Sequence, residues 1–210
     1  MSLRFAAVCG LAVPFVFTAS LVFGGLAQPD AFSSANDDIS DLGAQTASSA
    51  WIYNQVGANL TGLLLVCFAL GLWRAVGRNL LARLGVAALV IVGTGVFIDG
   101  FLRLDCQGID TGCTNASWHS DAHRLESGVT ATMLLVAPLL LAFAFRRIPE
   151  WRALWVPTLC AVPASIVAAI AASAFGDGAS SRASTVTLLV WIALLGLWLY
   201  RLSPVSRETG

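Results

Sequence analysis

His119 and His123 are the only histidines in this 210-residue chain, and a spacing of four puts both imidazoles on one face of a helix. One helix commonly offers two ligands to Zn²⁺ or a similar divalent metal in this way, with a carboxylate from elsewhere completing the set. Asp41 is the expected third ligand, with Asp99 as its alternative. The same pair could instead hydrogen-bond a ligand, handle protons, or play a structural part at a membrane interface. Two histidines exclude a three-histidine zinc centre, and their common face argues against bis-imidazole haem ligation within one subunit. Asp99 and Arg103, also four apart, are spaced for an ion pair along a helix. Gln55 and Asn59 share a helix face beside Asn54, and amides at membrane depth need partners. Cys106 and Cys113 bracket six residues that include two glycines, on a face expected to be oxidising, so a structural disulfide is expected. Their spacing is not the CxxC of a redox enzyme. Cys9, Cys67 and Cys160 lie in apolar runs, where thiols behave as small apolar groups. Walker, dinucleotide-binding and nucleophile-elbow motifs do not occur.

Composition dictates which elements hold these residues. Apolar residues make up 57% of the chain and charged residues 11%, against roughly 25% charged in a soluble domain, and the mean hydropathy is +0.78. Apolar runs near 4–27, 51–73, 84–104, 124–145, 153–175 and 185–202 each approach the ~20 residues that a helix needs to cross a bilayer. The expected fold is all-α: one domain over 1–210, a six-transmembrane-helix bundle with two long extracytoplasmic loops. Ser117 is the expected N-cap of the fourth helix, which at 1.5 Å per residue reaches about 43 Å by Phe145 and so carries the histidines into the outer interface. Nine arginines (4, 74, 78, 83, 146, 147, 152, 201, 207) fall on one side of these spans and three (103, 124, 182) on the other, which puts both termini in the cytoplasm of a plasma-membrane protein. The charges cancel, with twelve basic and twelve acidic residues, leaving no surplus for nucleic acid.

Gly25-Leu26-Ala27 has the small-x-small form of a signal cleavage site, but the apolar run before it is longer than a signal peptide's, which favours a retained first span. No long-period repeat supports a two-halved transporter. Ala161, Ser165, Ala169 and Ser173, with Ala164, Ala168 and Ala172 beside them, place the fifth span centrally in the bundle. Pro14, Pro138, Pro157 and Pro163 predict bends. An Arg-only, Ala/Leu/Val-rich chain reads as the product of a GC-rich bacterial genome.

The first long loop, Gln28 to Ala50, is expected to lay one helical turn, around Ile39-Ser40-Asp41-Leu42-Gly43, over the bundle mouth. That run, followed by Trp51-Ile52-Tyr53-Asn54 opening a helix with Gly62, a third span ending in acids and a His-containing start to the fourth helix, resembles the bacterial and archaeal membrane family catalogued as domain of unknown function 998. The resemblance covers nearly the whole chain and implies six helices and no established activity. The family's Pro-Asp or Pro-Thr-Asp at the end of the third span is replaced by Ile98-Asp99-Gly100. A looser similarity, to seven-helix hydrolases resembling alkaline ceramidase, is one helix and one histidine short. The functional expectation is a polar outer pocket, formed by Ser40, Asp41, Asn54, Gln55, Asp99, Arg103, His119 and His123, that binds a small polar ligand or lipid headgroup. A metal-dependent hydrolase acting at the outer leaflet, with His119, His123 and Asp41 on the ion, is the alternative. An accessory subunit of a membrane complex is the third reading. The bilayer is the one partner implied.

Overall fold

The computed structural model describes residues 1–203, so Arg207 and Glu208 lie outside the described residues. The first span is α1 (Leu3–Leu26). The second is a π-helical segment (Ile52–Leu60) running straight into α2 (Thr61–Ala75). Spans three and four are α3 (Leu80–Asp99) and α4 (Trp118–Phe145). The fifth is composite, made of a 3₁₀ turn (Pro149–Leu154), α5 (Trp155–Leu159) and α6 (Ala161–Ser173). The sixth is α7 (Asp177–Leu202). Six helices are therefore long and apolar enough to cross a membrane. An even number of crossings puts both ends of the bundle on one face, where Arg74 donates to the Met1 carbonyl at 2.9 Å and the Arg4 guanidinium lies over the Tyr200 ring. We call this the terminal face and the opposite one, which carries the 27–51 and 100–117 segments, the loop face.

Neighbours pack in a ring: α7 on α1, α1 on α2, α2 on α3, α3 on α4, with α6 closing it against α7 and more lightly against α4. The α2–α3 seam is close because of two glycines. A Cβ on Gly62 would fall 2.6 Å from the Gly93 carbonyl oxygen, and one on Gly93 would fall 2.9 Å from the Val66 amide nitrogen. In lipid, where helices gain no hydrophobic free energy by associating, such close approach is what holds them together. The terminal half of the ring is filled by large side chains, among them Phe68, Leu72, Leu89, Leu141 and Phe145, with Trp151 stacked on Phe145.

The fifth span is peripheral, not central. Only 22% of its apolar window is buried, against 39–50% for the other spans, and Ala164 faces outward. Its small residues serve one main neighbour, because α6 packs mainly on α7 and only lightly on α4. Of the expected proline effects, the one that interrupts a helix is also here. Pro163 has no N–H for the Leu159 carbonyl and its ring crowds it, and α5 ends at Leu159. Pro14 and Pro138 lie within continuous helices.

Candidate functional site

The start of α4 is locked from two directions. Ser117 caps it, its Oγ accepting from the Ser120 amide. Asp105 in turn accepts from the Ser117 amide at 2.9 Å and from its hydroxyl at 2.6 Å, while the Asp105 amide donates to the buried Ser120 Oγ. These bonds to Ser117 hold the Asp105 carboxyl below the ordinary carboxylate range. The segment leading into the helix is tied by Cys106 and Cys113, whose sulfurs lie at disulfide distance, 2.14 Å. Asn115 adds two bonds to the Cys106 backbone, one donated and one accepted.

From the other long loop, the 3₁₀ turn Ser40–Gly43 lies on the π-helical segment. Asn54 donates to the Gly43 carbonyl at 3.1 Å, and there is no room for a side chain at Gly43, whose Cβ would meet Tyr53 Cδ1 at 2.7 Å. The two loops join through Gln45 N–H to the Leu104 carbonyl, and through Gln107, whose side chain donates to the Asp41 carbonyl and to Gln28. Asp41 itself is buried, and burial pushes its carboxyl up.

Beneath this cover, side chains of three helices meet. The Tyr53 hydroxyl donates to Asp99 Oδ2 at 3.1 Å. His123 Nδ1 lies 2.8 Å from Asp99 Oδ1 and 3.0 Å from the Leu102 carbonyl oxygen. A carbonyl only accepts, so Nδ1 carries the proton and Nε2 the lone pair of the neutral ring. That N–H is aligned with Leu102, which leaves Asp99 Oδ1 close to the ring nitrogen yet without a hydrogen bond of its own. Tyr53, Asp99 and His123 are each more than nine-tenths buried. Glu126, one turn below His123 on α4, accepts from Thr130 Oγ1. One oxygen each of Asp99 and Glu126 and a ring nitrogen of His123 all lie within 4.8 Å of one another.

This cluster forms the polar end of a cavity of about 270 Å³ enclosed by α1, the second span, α3, α4, α7 and the turn at Asp38–Ser40. On each of four walls the lining becomes apolar with distance from the loop face: Tyr53 to Leu65, Asp99 to Val92, Glu126 to Leu134, and Ser181 to Leu189. A second, more open hollow of about 460 Å³ joins Ser40, Asp41 and His123 with Asp38 and Arg124 nearer the loop face.

The chain belongs to the DUF998 family. The family model, described as protein of unknown function (DUF998), matches residues 11–198. Neither a curated protein nor a solved structure matches the chain. Membership in this family thus agrees with the resemblance and the six-helix architecture and assigns no chemistry.

Of the residues expected at the site, Ser40, Asn54, Asp99, Arg103 and His123 come together around one small void, and Asp41 reaches His123 only across the upper hollow. Three expectations are corrected. Gln55 is exposed and lies outside the cluster, and Asn59, one turn on, donates to the Phe97 carbonyl at 2.6 Å. Arg103 is exposed and makes no ion pair with Asp99 among the described residues, because α3 stops at Asp99 and the i,i+4 geometry stops with it. His119 stacks on Trp118 and stands outside the cluster, so His119, His123 and Asp41 are not the three groups brought together. Two residues absent from the expected site, Tyr53 and Glu126, are part of it. A signal for Glu126 exists, since it is three residues from His123 and so on the same helix face. None exists for Tyr53, whose direction depends on the π-helical turn.

Proposed function

We propose that the protein binds an amphipathic, lipid-like molecule at the loop side of the bundle, its polar head at Tyr53, Asp99, His123 and Glu126 and its apolar part along Val92, Leu65, Leu134 and Leu189. The observation that carries this reading is the polar-to-apolar gradient repeated on four walls of one cavity. A soluble polar ligand would not need aliphatic walls, and a purely apolar one would strand two carboxyl groups. Entry is lateral, between α4 and α7, since each packs on other helices and not closely on the other and Ala131, on the cavity wall, is exposed. The loop face is extracytoplasmic and the membrane is the plasma membrane, in keeping with the arginine split. On the terminal face Arg4, Arg83 and Arg146 rest on Tyr200, Trp73 and Trp155, the arrangement of cationic and aromatic side chains at a membrane interface.

The test is extraction and mass spectrometry of amphiphiles that copurify with detergent-solubilised protein. A single species near one per chain is expected in the wild type, lost from Ala131→Phe and Thr185→Phe, which fill the cavity from opposite walls. It should be retained in Ile170→Phe, which adds the same ring to the exposed face of α6. Equal content in all four proteins means that only annular lipid is present, and the reading fails.

A further inference from the structure

We propose that Asp99, His123 and Glu126 form a binding site for a divalent metal ion of the Zn²⁺ type. This goes beyond the amphiphile reading and does not depend on it. The argument rests on how each of the three groups spends its atoms. Asp99 uses Oδ2 to accept from Tyr53 and keeps Oδ1. Glu126 uses Oε1 to accept from Thr130 at 2.5 Å and keeps Oε2, whose nearest donor, Ser127, is at a long 3.5 Å. His123 donates Nδ1–H to the Leu102 carbonyl and keeps the Nε2 lone pair. Metal sites are built in this way: one atom of each ligand is held by a neighbour that fixes its orientation, and the other is left for the ion.

An independent observation points to a cation. Asp99 Oδ1 is buried in the wall of the cavity, and its one close polar neighbour is His123 Nδ1 at 2.8 Å, whose N–H is aligned with the Leu102 carbonyl instead. Native structures seldom leave a buried carboxylate oxygen so, and here a second carboxylate stands close by with only one imidazole between them. Arg182, the cation of α7 in this region, gives Nη1 to the Asp37 and Gly178 carbonyls and forms no ion pair with Asp99 or Glu126 among the described residues. A divalent ion would satisfy the free oxygen and offset both negative charges. One oxygen each of Asp99 and Glu126 and one ring nitrogen of His123 lie within 4.8 Å of one another, a spread that side-chain rotation, the imidazole's included, can close to about 2.0–2.2 Å from a common centre. An imidazole with two carboxylates suits Zn²⁺ or Mn²⁺ better than Ca²⁺ or Mg²⁺, which prefer oxygen alone. With three protein ligands the ion keeps a position open toward the cavity, where an oxygen of a headgroup can bind.

The probe is Zn²⁺ alone, titrated calorimetrically into full-length protein in detergent after chelator treatment, with elemental analysis of the product. About one zinc per chain is expected. Asp99→Asn, His123→Ala and Glu126→Gln should each weaken binding at least tenfold, and His119→Ala should leave it unchanged. Ala131→Phe should keep zinc while losing the amphiphile, so the two proposals fail separately. Thermal unfolding shows which variants are folded. A folded wild type that takes up no zinc overturns the site whatever the variants do. Zinc held equally by Glu126→Gln and His123→Ala, or lost from His119→Ala, also overturns it.

Discussion

Replacing Gly62 by alanine tests whether the close α2–α3 seam positions the cluster. The new methyl carbon would lie 2.6 Å from the Gly93 carbonyl oxygen and 2.7 Å from Phe97 Cα, about 0.8 Å or more short of ordinary contact. Both are backbone atoms of α3 and cannot rotate aside, so the helices must separate. Overpacking of this kind costs about 1–3 kcal/mol. Against it stands the preference of a helix for alanine over glycine, at most about 1 kcal/mol and smaller in a micelle, where the unfolded chain remains partly helical. The net expectation is a loss of about 1–2 kcal/mol. Gly128 supplies the matched control, being within α4 with nothing inside 4 Å of its Cβ position. Gly128→Ala should therefore be neutral or stabilising by up to about 1 kcal/mol. The assay is reversible unfolding in mixed micelles with both variants side by side. Because Asp99 ends the helix that must move, Gly62→Ala should also weaken the Tyr53–Asp99 contact, read as a change in tyrosine ultraviolet absorbance. If the two variants unfold alike, the glycine seam does not set the α2–α3 distance and the reasoning is wrong.

The remaining predictions concern the loop face. Cys106→Ser with Cys113→Ser should lower stability by about 2.4 kcal/mol, the loop-closure value for a separation of 7 residues, and a mass spectrum of non-reduced wild type should show both thiols blocked. Asp105, whose folded carboxyl is held low by Ser117, contributes stability that is present above the ordinary value of about 3.9 and lost as pH falls through its depressed one. Asp105→Asn should therefore unfold at lower temperature than wild type near pH 6, with the gap closing in acid. Asp41, raised by burial, has the opposite sign: its contribution is present in acid and lost as pH rises through the raised value, so Asp41→Asn should raise the unfolding temperature near neutral pH. Single cysteines at positions 45 and 79, in a background without the native ones, should label from outside and inside the cell respectively; the reverse would invert the topology.

The architecture was legible in the sequence because a bilayer makes it so. Each unpaired backbone group in hydrocarbon is costly, so every long apolar run must be helical, and the runs are separated by polar segments that sequence inspection finds directly. Local signals were equally readable. Ser117 caps α4 through its own side chain, and the Cys106–Cys113 spacing needs only a short loop to bring the sulfurs together. Arrangement across helices was not readable. Small residues favour close packing but do not say against what: on α6 Ala161 and Ser165 are buried, while Ala164 faces outward. Helical spacing linked His123 to His119, Asp99 to Arg103 and Gln55 to Asn59, yet His123 turns to Asp99 and Leu102, and Asn59 to Phe97. In each case the spacing rule assumes a regular helix around the residue. The end of α3 at Asp99 breaks that assumption for Asp99 and Arg103. For His123, partners more than twenty residues away decide: it meets Asp99, and through Asp99 Tyr53, only because the π-helical segment, α3 and α4 lie side by side, a fact of packing that no local pattern encodes.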